Sequence, residues 1–244
     1  MSSADAQIIS LSPICRGCPI GQATIYSPTF SIDPEMIDRI KIGARAFPQH
    51  RRLFNEGDRL DELSIIKSGW AYRFRDLSNG RRQILAFYIP GDAIPFEALS
   101  YPGRAIPYSA KTLTAVSLCV FSMSEFIRLL NSTTSQLSEY QEAMRRHSER
   151  IYNQLADIGR RSALGRVAGL ILSLDARLRR RGLVTTNEYH FPLRQEHIAD
   201  ALGLTSVHVN RTLASLRRDG IVELSDQKLK ILDRKSLEIL HADE

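Results

Sequence analysis

The chain has 244 residues, 43% of them hydrophobic, which is enough for one large domain or two modest ones with buried cores. Its N-terminus lacks the basic start and apolar run of a signal peptide, and no apolar stretch approaches the roughly 20 residues that span a membrane. Three cysteines are too few for a disulfide framework, so we expect a cytoplasmic protein. The net charge of +6 favours an anionic partner but does not identify it.

The N-terminal half of the chain divides into an arm and a β-domain. Residues 1–30 have little periodic pattern and are typical of an irregular arm. Residues 31–123 are expected to form a sensor domain of antiparallel strands, because short alternating runs of apolar and polar residues are separated by turn signals. Asn79-Gly80 between two such runs predicts a hairpin. The last strand pair is predicted at Tyr108–Thr112 and Ala115–Phe121.

The next segment, residues 124–159, has a helical period. Ser124 is a candidate N-cap for a short helix at Glu125–Leu130, and a longer helix is predicted at Ser135–Gly159. Apolar residues on the long helix form a narrow stripe that suits a partner helix. The stripe residues are Leu137, Met144, Ile151, Leu155 and Ile158. The pattern predicts a dimerisation helix, and the alternative is a single helix that lies on its own β-domain.

Residues 160–244 contain a helix-turn-helix pattern. Ile198 and Leu202 lie on one face of a first helix, and Gly203 falls where a tight turn needs a left-handed backbone. Thr205 is a good N-cap for a second helix, whose inward face would be formed by apolar residues at i, i+4 and i+7. Those residues are Val209, Leu213 and Leu216. His197 and His208 are expected at the surface, because neither has partners at metal-ligand spacing.

This spacing leaves polar residues on the outward face of the second helix, the part that enters the major groove in helix-turn-helix proteins. The predicted DNA contacts are Thr205, Ser206, Val207, Asn210, Arg211 and Lys228. Arg211 suits guanine, and Thr205 and Ser206 suit phosphates. A predicted hairpin at 221–232 forms a wing, from which Lys228 would reach the DNA backbone.

The sequence resembles the Crp/Fnr family of bacterial transcription regulators over nearly its whole length. The resemblance rests on glycine-marked turns at Phe54–Asp58, Ile66–Gly69 and Pro90–Asp92, and on Arg194-Gln-Glu followed by Gly203 and Arg211. It implies an α+β architecture: a cyclic-nucleotide-binding-like β-roll, a long dimerisation helix and a C-terminal winged helix-turn-helix. It also implies a homodimer on palindromic DNA, RNA polymerase as a partner, and a signal sensed in the β-roll or the N-terminal arm.

The chain departs from the family pattern at the recognition helix and in the roll. Many members carry a glutamate where Val207 stands, so we expect an uncommon target sequence. Cyclic-nucleotide binders of the family hold the phosphate with a Gly-Glu pair and an Arg-Ser or Arg-Thr pair. Pro95-Phe96-Glu97 and Tyr108-Ser109-Ala110 stand at those places, so cyclic AMP is not an expected ligand.

The cysteines resemble part of the family's iron–sulfur pattern. Cys15 and Cys18 match the first pair of N-terminal ligands, and Cys119 matches the ligand near the end of the roll. A third N-terminal cysteine would fall near Thr24 and is absent, whereas a four-iron cluster normally uses four thiolates. Three interpretations remain open: an iron–sulfur cluster, a thiol redox or zinc site, or no function for these cysteines.

Two other classes of function are alternatives to DNA binding. A cyclic-nucleotide-type module that regulates a protein partner is the alternative, but it leaves the winged helix unexplained. An enzyme is not expected, because the sequence contains no recognisable nucleotide-binding, zinc-protease or catalytic-triad pattern.

Overall fold

The computed structural model describes residues 7–9 and 34–242. They form two compact units: residues 7–9, 34–75 and 85–145, and residues 76–84 with 146–242. Within these described residues, no helix is both long and apolar enough to cross a membrane.

The first unit is built mainly of β-strands. Apart from the last residue of β5 and the first three residues of β6, which belong to the second unit, its elements are β1 (Gln7–Ile9), α1 (Pro34–Ile40), β2 (Lys41–Phe47), β3 (Arg52–Phe54), β4 (Glu62–Ser68), β5 (Ala71–Asp76), β6 (Arg82–Tyr88), β7 (Ala93–Ile94), a 3-10 turn (Glu97–Leu99), β8 (Ser109–Thr112), β9 (Val116–Ser122) and α2 (Met123–Leu130). Two sheets result, in the orders β1-β2-β9-β4-β7 and β3-β8-β5-β6. Their strand pairings are antiparallel, and fully buried residues such as Leu63, Ile66 and Phe121 fill the interior. The expected antiparallel β-roll is confirmed.

The last two strands of the roll are not a pair, and that prediction was wrong. β8 belongs to the four-stranded sheet and β9 to the five-stranded sheet. The residues between β8 and β9 carry the chain from one sheet to the other. Leu113 and Thr114 in this connection both donate backbone hydrogen bonds to the Trp70 carbonyl. Gly69 has a φ of 83°, and a side chain there would clash with the Ala115 carbonyl.

The predicted hairpin at Asn79-Gly80 joins β5 to β6. Its ends are closed by a hydrogen bond of 2.7 Å from the Leu77 N–H to the Arg81 carbonyl. Gly80 takes a φ of 76°, and the Asn79 side chain accepts a bond of 3.0 Å from the Arg81 N–H. The turn residues therefore act as the sequence predicted.

Two helices follow the roll, α2 and α3 (Thr134–Arg160). The N-cap of α2 is Ser122 and not the predicted Ser124, because Ser122 ends β9 in an extended conformation and its Oγ accepts the Glu125 N–H. The long helix was predicted within a residue at each end. Its buried polar and small side chains, Gln136, Ala143 and His147, follow the spacing i, i+7, i+11.

The second unit contains α4 (Ala163–Arg180), β10 (Glu188–His190), α5 (Gln195–Leu202), α6 (Ser206–Arg218), β11 (Val222–Ser225), β12 (Lys228–Ile231) and α7 (Arg234–Ala242). The three strands form a small sheet in the order β10-β12-β11. Asp175 on α4 is completely buried and forms ion pairs with Arg179 and with Arg234 at the start of α7. These pairs satisfy its carboxylate and fix α7 against α4.

Candidate nucleic-acid interface

The turn between α5 and α6 has the predicted construction. Gly203 has a φ of 65°, and the next residue, Leu204, donates its N–H to the Ala199 carbonyl at 3.1 Å. Thr205 has an extended backbone, and its Oγ1 accepts the His208 N–H at 3.2 Å. Ile198 is buried. These bonds satisfy backbone groups at the end of α5 and the start of α6.

The inward face of α6 is also as predicted. Val209, Leu213 and Leu216 are at most 3% exposed, because they pack into the core of the second unit. Thr212 lies on the same side, is buried, and donates its hydroxyl to the His208 carbonyl at 3.0 Å. The helix is thereby held by one face and presents the other face to solvent.

The outward face carries the predicted contact residues. Ser206, Val207, Asn210 and Arg211 are all exposed, and 62% of Val207 is accessible. Because Ser206 and Val207 lie in the first turn and Asn210 and Arg211 in the second, they form one patch at the N-terminal end of α6. This patch offers a guanidinium, an amide, a hydroxyl and methyl groups, which are the groups that recognise base edges and phosphates.

The prediction that His197 lies at the surface was wrong, whereas His208 is exposed as expected. His197 is only 3% exposed, and its ring Nδ1 accepts the Arg194 N–H at 3.1 Å. It caps the start of α5 by reaching back from the third helical residue. The signal in the sequence for this cap is the spacing i to i+3 at the start of a helix.

The first helix of the pair has supports that the sequence did not reveal. Arg82, in the 76–84 segment, donates to Asp200 on α5 at 2.9 and 2.5 Å. The Gln83 side chain donates to the Ala201 carbonyl at 3.2 Å. Arg166 on α4 donates to the Leu202 carbonyl at 3.1 Å, at the end of α5. These partners are far apart in sequence, so no local pattern marks them.

The wing is formed by β11 and β12. Its tip residues, Asp226 and Gln227, have φ values of 47° and 58°, so a left-handed turn is made without glycine. Lys228 is exposed, and its Nζ lies 3.0 Å from a carboxylate oxygen of Glu188 on β10. Such an exposed ion pair is weak, which leaves the ammonium able to exchange partners.

The stripe on α3 is largely accessible. Leu137, Ile151 and Leu155 are 37%, 44% and 69% exposed, and Met144 and Ile158 are half-buried. Ile158 also lies beside the α5–α6 turn, since its Cγ2 would be 3.6 Å from a Cβ added to Gly203.

One of the three cysteines, Cys119, lies among the described residues. Cys15 and Cys18 lie outside the described residues, and Cys119 is buried on β9. Within residues 7–9 and 34–242, no group of three or more histidine, cysteine or acidic side chains is arranged to hold a metal ion.

Comparison with known proteins identifies the two halves of the chain. The model of the cyclic nucleotide-binding domain matches residues 44–133, and that of the Crp-like helix-turn-helix domain matches residues 165–240. The nitrogen fixation regulation protein FixK of Bradyrhizobium diazoefficiens is 30% identical over 93% of this chain and 94% of its own length. The transcriptional activatory protein AadR of Rhodopseudomonas palustris is 29% identical over 92% of each chain.

A solved structure has the same fold. FixK2 from Bradyrhizobium japonicum superposes with a TM-score of 0.73 and 23% identity, over 82% of this chain and 96% of that one. Together with the helix-turn-helix geometry, these matches show that the chain belongs to the Crp/Fnr family of transcription regulators, which bind DNA and are not enzymes.

Proposed function

We propose that the protein is a homodimer that binds a palindromic DNA site and regulates transcription in response to a signal received by the β-roll or the N-terminal arm. The observation that carries this proposal is the exposed patch at the N-terminal end of α6, held on a fully packed inner face. In helix-turn-helix proteins this part of the second helix enters the major groove, and a two-fold dimer reads two half-sites.

Each residue of the patch, and Thr205 directly before it, has a chemical role in the proposed complex. Arg211 donates two hydrogen bonds to guanine O6 and N7, and Asn210 binds adenine or a phosphate. Thr205 and Ser206 bind phosphates at the start of α6, where backbone N–H groups and the helix dipole also favour an anion. Val207 offers methyl groups to thymine, so the half-site differs from one that is read by a glutamate at this place.

Dimer formation is supported by the stripe on α3. The exposed apolar residues Leu137, Ile151 and Leu155 recur at the spacing that places them on one side of a helix. A second copy of α3 would cover them. RNA polymerase is the partner expected of a DNA-bound transcription regulator.

The test compares Arg211→Ala with Arg128→Ala by fluorescence anisotropy on a DNA duplex selected by the wild-type protein. Arg128 is the control, because it is exposed on α2 and its replacement by alanine removes the same charge. We expect Arg211→Ala to bind the selected duplex at least about 30-fold more weakly, since each of the two protomers loses a bidentate arginine–guanine contact that contributes about 1–3 kcal/mol. Arg128→Ala should bind within about twofold of wild type.

Equal affinity of the two variants for the selected duplex would contradict the role of Arg211. Absence of salt-dependent DNA binding by the wild type would contradict the proposed function itself, and would favour the alternative of a module that regulates a protein partner.

A further inference from the structure

The roll contains a carboxylate that is held by two buried groups. Glu97, in the 3-10 turn after β7, forms an ion pair with Arg73 on β5. Its other oxygen accepts a hydrogen bond of 2.6 Å from the hydroxyl of Tyr108, the residue before β8. Arg73 and Tyr108 are 5% and 4% exposed, and 27% of the Glu97 side chain is accessible. Three separate segments of the roll therefore converge on one carboxylate.

Aromatic groups complete this cluster. The Arg73 guanidinium lies 5.1 Å from the centre of the Tyr108 ring, and the Tyr88 hydroxyl is 3.5 Å from the Tyr108 hydroxyl. Burial raises the pKa of the Tyr108 hydroxyl, which keeps its proton and donates to Glu97. A cation and a phenol thus neutralise and bind the carboxylate inside the roll.

The cluster does not fit a phosphate ligand, although the roll matches the model of the cyclic nucleotide-binding domain. A phosphate in a small protein interior needs a charged donor, since an unpaired anion there is costly. Arg73 is a buried cation between the two segments that would surround such an anion, 95–97 and 108–110, and Glu97 neutralises it. A phosphate beside Glu97 would meet a like charge.

We propose that the Glu97 carboxylate serves as the anion that the buried Arg73 of the roll requires. It takes the place beside Arg73 and Tyr108 in which a small anionic ligand would otherwise be needed, so the roll reaches its ordered form without a cyclic nucleotide. This goes beyond the proposed function, because it assigns a residue to the interior of the roll and excludes phosphate-bearing effectors from that place.

The segment that carries Glu97 also contacts the long helix α3. The Phe96 ring lies 5.7 Å from the Tyr140 ring on α3, and the Ser100 Oγ is 2.6 Å from the Tyr140 hydroxyl. Because Phe96 and Ser100 flank the turn that carries Glu97, the carboxylate also holds the part of the roll that contacts α3.

The test is thermal unfolding of the full-length protein as wild type, Glu97→Ala and Glu56→Ala, in sodium chloride or in sodium acetate at equal ionic strength. Glu56 is the matched control, since it pairs with Arg75 on the same strand but the pair is exposed. We expect Glu97→Ala to lower Tm by about 5 °C, because it removes the partner of a buried cation. Acetate should restore part of that loss and chloride should not, since a small carboxylate can bind Arg73 and Tyr108.

Glu56→Ala should change Tm by about 1 °C or less in either salt. Cyclic AMP or inorganic phosphate at millimolar concentration should not shift the wild-type Tm. If Glu97→Ala does not fold, Glu97→Gln is compared with Glu56→Gln, and only Glu97→Gln should lose stability, because its amide accepts from Tyr108 but carries no charge.

The proposal is overturned if Glu97→Ala is as stable as wild type, if acetate acts on it no differently from chloride, or if cyclic AMP raises the wild-type Tm. None of these readouts requires DNA binding, so they are independent of the proposed function.

Discussion

The buried side chain of His197 helps to fix the start of α5, the first helix of the helix-turn-helix. Its ring Nδ1 accepts the Arg194 N–H at the start of α5, which requires the neutral form of the ring. Burial lowers the pKa of His197 to about 4, although the nearby Glu196 carboxylate, 3.7 Å from Nε2, acts in the opposite direction. The unfolded chain titrates near its ordinary value of about 6.5.

This difference in pKa predicts how stability depends on pH. Between about pH 6.5 and 4 the unfolded chain binds more protons at His197 than the folded chain. The stabilisation is therefore complete above about pH 6.5 and decreases as the pH falls towards 4. For this residue the free energy of unfolding should decrease by about 2 kcal/mol between pH 7.5 and 5.

Urea unfolding at the two pH values, with His197→Gln and His208→Gln, measures this effect. The loss of stability on acidification should be smaller in His197→Gln, whose amide oxygen can still accept the Arg194 N–H. His208 is exposed, and His208→Gln should keep the wild-type dependence. If His197→Gln loses as much stability as wild type, the buried neutral histidine is not responsible.

Single residues were predictable where the cause is local. Gly203 and Thr205 follow from backbone rules that apply within one turn of chain, and both have the expected geometry. The burial of His197 and the carboxylate cluster at Glu97 were not predicted. Both depend on partners brought together by the fold, such as Arg73, which lies 24 residues before Glu97 in the sequence.

Whole elements show the same division between local and distant causes. The helical period placed α3 and α6 correctly, and alternation placed the strands of the roll. Alternation does not say which strand is the neighbour, so β8 and β9 were paired although they lie in different sheets. The cap of α2 is Ser122 and not the predicted Ser124, because β9 ends at Ser122 and alternation does not show where a strand ends.

The stripe on α3 gives a prediction at this scale. Met144→Glu together with Ile151→Glu should produce monomers by sedimentation, because two carboxylates would be buried in the proposed helix–helix contact. Asn153→Glu with Ala156→Glu is the control, since both positions are exposed and lie off the stripe. The control should remain dimeric.

Each protein should also show the wild-type helix content by circular dichroism, so that loss of the dimer is not confused with unfolding. A folded dimer in the Met144 and Ile151 variant would show that the subunit contact lies elsewhere.

At the scale of the whole molecule, the chain combines two parts. In the roll, the buried Arg73 is paired with the roll's own carboxylate, Glu97, and the winged helix presents a basic and polar patch. The family and fold were predictable, because the glycine-marked turns and the helix-turn-helix occur in one order along the chain. The signal was not, because Cys15 and Cys18 have no clear ligand set and the cyclic-phosphate residues are absent from the roll.

The central claim is that two copies of α6 read two half-sites of one palindromic DNA. Selection of duplexes from a random pool by the wild-type protein, followed by sequencing, tests it most directly. We predict inverted repeats whose half-site centres are about 10–11 base pairs apart or a multiple of this, because successive major grooves on one side of DNA have that spacing. A single unrepeated motif, or no enrichment over the starting pool, would contradict the account.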